Sequence, residues 1–373
     1  MRSRSRFNPI VLLLALLHVY IGVRLLAPFE LPVQVLGAAA LAACVWLLPK
    51  GFHVPEGRGP WAVLLPWVAM GFFSWLLVLT LARDASLAVA ALALSPAAHD
   101  AWLRVSALAV MALTPAITLV GFVMARGTAP VVEVDVPVAN LPAALEGFTI
   151  AQISDIHVGP TIKGNFVERI VARVNRLEAD MVAITGDVVD GSVRELSPHT
   201  APLARLESRH GTYVVTGNHE YYSGAHAWIH ELRRLGTHVL VNEHVVLEHD
   251  GAQVAVAGVT DYSAHHFDPA HRSDPHGAAR GAPRDAVKVL LAHQPRSAPM
   301  AEGAGYDLQL SGHTHGGQFW PWNLFVRLQQ PFTAGLNRLG RMWVYINRGT
   351  GYWGPPMRFG IPSEITRIRL VRA

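Results

Sequence analysis

Two scarcities frame this 373-residue chain: cysteine occurs once, and Lys, Arg, Asp and Glu together fill only 16% of positions. A single thiol excludes a disulfide framework and any cysteine-ligated metal site, and Cys44 falls inside an apolar run. No internal repeat is present, which excludes solenoid and array architectures. The charge is also unevenly placed. Residues 1–126 hold nine Lys and Arg against four Asp and Glu, leaving 22 against 23 in the remainder. Near neutrality in that remainder excludes the broad positive field expected of a protein that binds extended nucleic acid.

What the chain has in excess is apolar sequence, 51% of all residues, and most of the excess precedes residue 126. Four stretches, Ile10–Leu26, Leu31–Leu48, Trp61–Ala82 and Leu103–Ala125, match the roughly 17 to 25 helical residues that cross a hydrocarbon core. Tyr20, Trp46, Trp61 and Trp102 lie near their ends, where interfacial aromatics belong. Arg2, Arg4 and Arg6 precede the first stretch as in a secretory signal, but no small-residue cleavage site follows, so a retained helix is expected. The apolar segment Ala85–Ala98 is short for a span and is expected to be interfacial or re-entrant. With four spans, six Lys and Arg (Arg2, Arg4, Arg6, Lys50, Arg58, Arg126) share the side of the amino terminus and three (Arg24, Arg83, Arg104) face the other. The positive-inside rule then predicts a multi-pass cell-membrane protein with both ends in the cytoplasm and the lipid bilayer as a partner. One further crossing would reverse the side of the carboxyl-terminal domain.

The composition divides the chain into a helical membrane region, 1–126, a linker with a first strand, 127–147, and a domain at 148–373. VVEVDVPV alternates with period two as a half-buried strand does. FTIAQIS and DMVAITGD read as buried strands around the helix NFVERIVARVNRLEA, whose Phe166, Ile170, Val174 and Leu177 keep helical spacing. GTYVVTGNHE is a strand and turn, AHAWIHELRRLG a helix, and THVLVNEHVVLEHDGAQVAVAGVTD a series of strands turning at Asp250 and Gly251. VKVLLAH and YDLQLSGH add two more. This order predicts a layered α/β domain. Residues 265–285, rich in Pro, Gly, Ala and His without periodicity, are expected to form a mobile surface loop, with a secondary metal-binding tract as the lesser reading.

Five polar motifs follow these apolar runs: Asp155-Ile156-His157, Gly186-Asp187, Gly217-Asn218-His219-Glu220, His293 and Gly312-His313-Thr314-His315. Open α/β sheets bind ligands beyond the carboxyl ends of their strands, where loops converge. In an extended segment residues i and i+2 share a face, so Asp155 with His157, and His313 with His315, can address one site. Imidazole with carboxylate suits zinc, iron or manganese, and the lack of thiolate disfavours a closed structural zinc site. Each motif alone is weak, since Gly-Asp is common in turns and most lone histidines are hydrogen-bonded structural residues. Five in this order are specific.

The set D-x-H, GD, GNHE, a later His and GHTH resembles the calcineurin-like metallophosphoesterase superfamily over roughly Phe148 to the carboxyl end. ISDIHVG, ITGDVVDG, VTGNHEYY, SGHTHGGQ, NRGTG and PSEI are similar to its bacterial YkuE and YaeI branch. The resemblance implies a four-layer α/β/β/α sandwich following the helical membrane region. It implies that Asp155, His157 and His315 hold one divalent metal ion, that Asn218, His293 and His313 hold a second, and that Asp187 bridges them. The metals would be Mn, Fe or Zn, and a metal-bound hydroxide would attack a phosphodiester or pyrophosphate. His219 would stabilise developing charge or protonate the leaving oxygen. Arg348 could reach a substrate phosphate, or serve as an exposed structural arginine. Glu220 is expected to orient its loop, Asp261 to cap a strand, and Gly316 and Gly317 to let the backbone turn near the metals. The segment FWPWNLF, residues 319–325, is expected to be core, with a lip for acyl chains as the second reading. A membrane-anchored hydrolase of a lipid-linked phosphoester is therefore expected. A nucleotide phosphodiesterase or nuclease, and a nonenzymatic membrane sensor or binding module, are the rival classes.

Overall fold

In hydrocarbon every backbone N–H and C=O must be satisfied within the segment, so long apolar runs fold as helices. A computed structural model describes residues 9–52 and 60–373; Arg2, Arg4, Arg6 and Arg58 of the charge count lie outside the described residues. The apolar part forms α1 (Pro9–Leu26), α2 (Leu31–Leu47), α3 (Pro60–Ala93) and α4 (Pro96–Arg126). All four are long and apolar enough to cross a membrane.

The short segment 85–98 does not form an element of its own. Residues 85–93 are the last turns of α3, and Pro96 opens α4 after a two-residue break at Leu94 and Ser95. Its alanines and leucines are strong helix formers that simply extend α3, while proline is tolerated in a first turn and disfavoured inside. The helices share a small core of Ile21, Leu25, Cys44, Leu48, Phe73, Leu76, Ala107 and Val110. Their other faces stay apolar yet exposed, Leu36 at 73% and Leu92 at 91%. Contiguous apolar surface of this kind belongs against lipid or protein.

The chain divides into two compact units: the described residues up to Met124 with Gly354–Met357, and Ala125–Trp353 with Arg358–Ala373. In the second unit the strands are β1 (Val131–Val138), β2 (Thr149–Ile153), β3 (Met181–Ile184), β4 (Thr212–Val214), β5 (His238–Val239), β6 (Glu243–His249), β7 (Ala252–Gly258), β8 (Val287–Leu291), β9 (Leu308–Ser311), β10 (Gly335–Leu339), β11 (Met342–Ile346) and β12 (Ile365–Arg372). The helices are α5 (Gly164–Asn175), α6 (Val193–Thr200), α7 (Asn218–Tyr222), α8 (Ala225–Arg234), α9 (Pro275–Ala278) and α10 (Ala298–Gly303).

Two six-stranded sheets result, in the orders β1-β12-β2-β3-β4-β5 and β10-β11-β9-β8-β7-β6. Alternation puts Ile150, Met181 and Tyr213 on the inner face of the first sheet, against Val254, Val289, Leu308 and Leu310 of the second. Outside the first sheet, Phe166, Ile170 and Val174 of α5 and Trp228 and Leu232 of α8 pack on Ile153, Val182 and Val214. Outside the second, Ala278, Ala298 and Ala301 meet Ala257, Leu290 and Val344. The layers are α/β/β/α, as expected.

β6 and β7 form an antiparallel hairpin turning at Asp250 and Gly251, both with positive φ (51° and 88°), as a two-residue hairpin turn requires. The last strand, β12, inserts between β1, to which it runs parallel, and β2, to which it runs antiparallel. Residues 265–285 are not a featureless loop. They contain two 3₁₀ turns and α9, with Asp268 accepting the Ala270 N–H and Asp274 the Gly277 N–H, and Asn242, His244 and Tyr306 each bond their backbone carbonyls. The capping aspartates give the segment local structure that apolar periodicity does not reveal.

Ile150 is fully buried between the sheets, so Ile150→Ala should destabilise the second unit by about 2–5 kcal/mol. Thermal unfolding of the detergent-solubilised chain should show a lower midpoint for that unit; an unshifted midpoint would contradict this packing.

Candidate metal centre

The five motifs leave the carboxyl ends of β2, β3, β4, β8 and β9, three strands from one sheet and two from the other. Their side chains meet at the seam. Asp155, His157 and His315 form one set of potential ligands; His157, Asp187 and His219 a second; and Asp187, His293 and His313 a third, with ligand atoms in each set all within 4.8 Å of one another. Asn218 opens α7 next to His219, and its buried Oδ1 has no hydrogen-bond partner. Arg348 is held in place: its guanidinium pairs with the buried Glu364 carboxylate at 3.4 Å while its side chain stays 35% exposed.

The backbone brings these residues together differently from the extended geometry expected. Asp155, His157, Asp187, His313 and His315 all adopt left-handed conformations, with φ of 53°, 54°, 51°, 70° and 50°. Such residues are uncommon outside glycine and gather at functional sites. Paired residues therefore converge through left-handed turns beyond the strands, and strand alternation plays no part. The loops also approach closely. A Cβ on Gly312 would collide with Ser154 Oγ and Asp155 Oδ2, and one on Gly217 with the Asp187 carboxylate. Gly316 and Gly317 turn the chain after His315 with φ of 60° and 86°.

Hydrogen bonds fix the rings. Thr185 O, from the first sheet, lies 2.7 Å from His293 Nδ1, from the second. Asp190 Oδ1 lies 3.0 Å from His157 Nδ1 and 2.6 Å from His219 Nδ1. Each Nδ1 thus acts as a donor, and Nε2 is left for a ligand or a proton, the arrangement typical of metal-binding histidines. His157 Nε2 faces His315 Nε2 at 3.1 Å, and His293 Nε2 faces His313 Nδ1 at 3.2 Å and Asp187 Oδ2 at 3.1 Å. Facing imidazole nitrogens repel unless a proton or cation lies between them.

The family profile described as calcineurin-like phosphoesterase matches residues 148–317, and a metallophosphoesterase of Aquifex aeolicus is 32% identical over 62% of this chain and 87% of its own length. The chain belongs to this family. A Bos taurus protein named transmembrane protein with metallophosphoesterase domain is 41% identical over 72% of this chain, and the match spans 62% of that protein's length. The metallophosphoesterase YkuE of Bacillus subtilis is 28% identical over 62% of this chain and 81% of its own length.

In this family member the electrostatics favour bound positive charge. Asp155 and Asp187 are buried, at 0% and 2% exposure. Burial raises the Asp155 pKa, and the nearby Asp187 charge adds to it. Burial also opposes ionisation of Asp187, but His293, His219 and His157 hold its carboxyl well below the usual range. Although burial favours a neutral ring, Asp190, Asp187 and Asp155 raise His157 to about 9. His313 is pushed down to about 3 by burial and the His293 charge, and His315 is lowered by burial, His157 and Arg358. The cluster thus pairs neutral imidazoles at His313 and His315 with carboxylates that draw positive charge onto His157 and His293. Together with the orphaned Asn218 oxygen, this donor set fits divalent cations with nitrogen and oxygen ligands.

Four supporting residues carried weak sequence signals. Asp190 lies three positions after Asp187 in GDVVDG, where a second carboxylate in one loop was the only clue. Glu220 does orient its loop: it is fully buried and accepts the N–H groups of Gly217, Asp187, Val188 and Val189 at 2.7–3.2 Å, and burial, with the Asp187 charge, raises it to about 7. Arg358, in an aperiodic segment, donates to the carbonyls of His315, Arg348 and Gly351 at 3.0, 2.7 and 2.6 Å. Asp261 holds the turn after β7 through Ser263 and binds Gln294, the neighbour of His293.

Removing the partner of a metal-binding histidine typically lowers metal affinity or activity by about 10–100-fold. Asp190→Ala should show a loss of that size in metal content after dialysis, measured by elemental analysis. Retention equal to the parent protein would deny Asp190 this part.

Proposed function

We propose that this chain is a membrane-anchored phosphoesterase that uses two divalent cations to hydrolyse a phosphodiester or pyrophosphate bond in a lipid-linked substrate. The observation that carries the reading is the overlap of three ligand sets on shared His157 and Asp187. Sharing of this kind suits two adjacent ions better than one. Asp155, His157 and His315 are assigned to the first ion, Asn218, His293 and His313 to the second, and Asp187 to both. When bound, such a pair polarises the phosphoryl group and lowers the pKa of the attacking water.

The protein's own groups position the rest. Asp190 keeps the His219 Nδ1 proton in place, so His219 Nε2, 15% exposed as a side chain and 3.9 Å from Asp187 Oδ2, is the nitrogen that hands a proton to the leaving oxygen. Arg348, held by Glu364, is the charged donor assigned to the substrate's phosphate. Catalytic work is assigned to residues 148–373 and anchoring to residues 1–126, with 127–147 joining them.

Two observations favour a lipid-linked substrate. FWPWNLF is not core: only Phe319 is buried, while Trp320, Trp322, Leu324 and Phe325 are 41–63% exposed. This apolar segment begins four residues after His315, and Trp353, 48% exposed, stacks edgewise on His219 at 5.6 Å. The four apolar helices also tether the site to a bilayer. The charge distribution supports a cytoplasmic site, with manganese, iron and zinc all compatible with the ligands.

Chelator-stripped protein should lose hydrolysis of a chromogenic phosphodiester and regain it with Mn²⁺. Asp187→Ala and His315→Ala should abolish turnover, and His219→Ala should lower kcat by roughly 10²–10⁴-fold while keeping its metals. Full activity in those ligand variants would sink the catalytic assignment. A panel of lipid-linked pyrophosphates, phospholipids, cyclic nucleotides and single-stranded DNA separates the substrate classes; preference for nucleotides would favour a nucleotide phosphodiesterase, and ligand-dependent signalling without turnover a sensor. For topology, an alkaline phosphatase fused after Ala373 should be inactive and a fluorescent protein there should mature; the reverse pattern would place the site outside.

A further inference from the structure

Outside the cluster at the seam, one other group of metal-ligating side chains converges among the described residues. His226, in the first turn of α8, meets Asp268 and His271 from the short turns after β7, with ligand atoms all within 4.8 Å of one another. His226 Nε2 lies 2.9 Å from Asp268 Oδ2. The other oxygen of Asp268 accepts the Ala270 N–H at 2.9 Å, which fixes the carboxylate's orientation. His271 Nδ1 lies 2.8 Å from the Tyr221 hydroxyl, leaving Nε2 as its ligand nitrogen, and the rings of His226 and His271 are 4.8 Å apart. Asp268 and His271 each have one polar atom held by a neighbour and one left over, as second contacts do for metal ligands. A simple surface ion pair between His226 and Asp268 would need no second imidazole.

The position gives the cluster a consequence. Tyr221 belongs to α7, which also carries Asn218, His219 and Glu220. The next residue, Tyr222, packs edgewise on His219 at 5.1 Å and on Phe267 at 5.5 Å. Phe267 lies immediately before Asp268. Whatever fixes Asp268 and His271 against α7 and α8 therefore also fixes the Tyr222 and Phe267 rings beside His219.

We propose that His226, Asp268 and His271 form a separate divalent-cation site of the zinc class that clamps the 264–271 turns onto α7 and α8 and sets the aromatic wall next to His219. Two imidazoles and one carboxylate match zinc's preference, and three protein ligands leave a fourth position for water. His226 is 74% exposed as a side chain, so the ion exchanges with solution and the wall responds to its supply.

The test uses the full chain in detergent micelles with Zn²⁺ as the only added ligand. Hydrogen exchange of residues 264–274 should slow on adding Zn²⁺ in the parent protein and in Asp187→Ala, and should not change in His226→Ala/His271→Ala. Titration against a chromogenic chelator should show one zinc equivalent fewer in the double variant than in the parent. Asp268→Asn, which keeps the acceptor for Ala270, should weaken that equivalent at least tenfold without disturbing the turn. Equal stoichiometry in parent and double variant, or Zn²⁺-independent exchange in the parent, would overturn the proposal. Because the protection is read in Asp187→Ala, it is independent of whether the seam cluster hydrolyses phosphoesters.

Discussion

Asp155 and Asp187 are buried at the seam between two sheets, and each accepts a backbone N–H from a loop beyond another strand: His313 N–H reaches Asp155 at 3.0 Å, and His219 N–H reaches Asp187 Oδ1 at 2.9 Å. The first of these bonds crosses from one sheet to the other. An unpaired buried charge costs several kcal/mol, so the surrounding fold must supply compensation, and it does so with imidazoles whose free nitrogens face one another. Those nitrogens are compatible only with a proton or a cation among them. The requirement for positive charge, the ring orientations and the close approach of the loops are consequences of one burial.

The same burial explains where strain is held. Five site residues sit in left-handed conformations, and backbone strain of this kind, at about 1–3 kcal/mol per residue, persists only where neighbours over-determine it. Glu220 gathers four N–H groups of the loops after β3 and β4, and Arg358 ties the carbonyls around His315 and Gly351. A rigid frame of hydrogen bonds thus lies beneath the candidate metal ligands. Around it, Tyr222, Phe267, Trp353 and the 320–325 segment leave apolar surface exposed.

Much of this was legible in the order of residues. Apolar runs of membrane length, a period-3.6 face on α5, and buried strands that each end in a polar motif are local patterns, and they identified the helices, the layered α/β class and the residues that converge. The failures were local too. The break between α3 and α4 depended on a single proline after an unbroken alanine-rich stretch, and length alone could not distinguish helix extension from a surface segment. FWPWNLF has the composition of a core, and nothing within it says which neighbours cover it. Asp190 and Arg358 act through residues far from them in sequence, His315 in one case and His157 and His219 in the other.

The sequence by itself picked out the side chains that converge at the seam, because residue type, strand-end placement and the absence of thiolate are properties of short segments. Only the tertiary structure decided how they meet. Three motifs belong to one sheet and two to the other, β12 inserts beside β2 from the far end of the chain, and left-handed turns aim the side chains across the seam. Those relations depend on long-range pairing and on the compensation of buried charge, which no short stretch of sequence encodes.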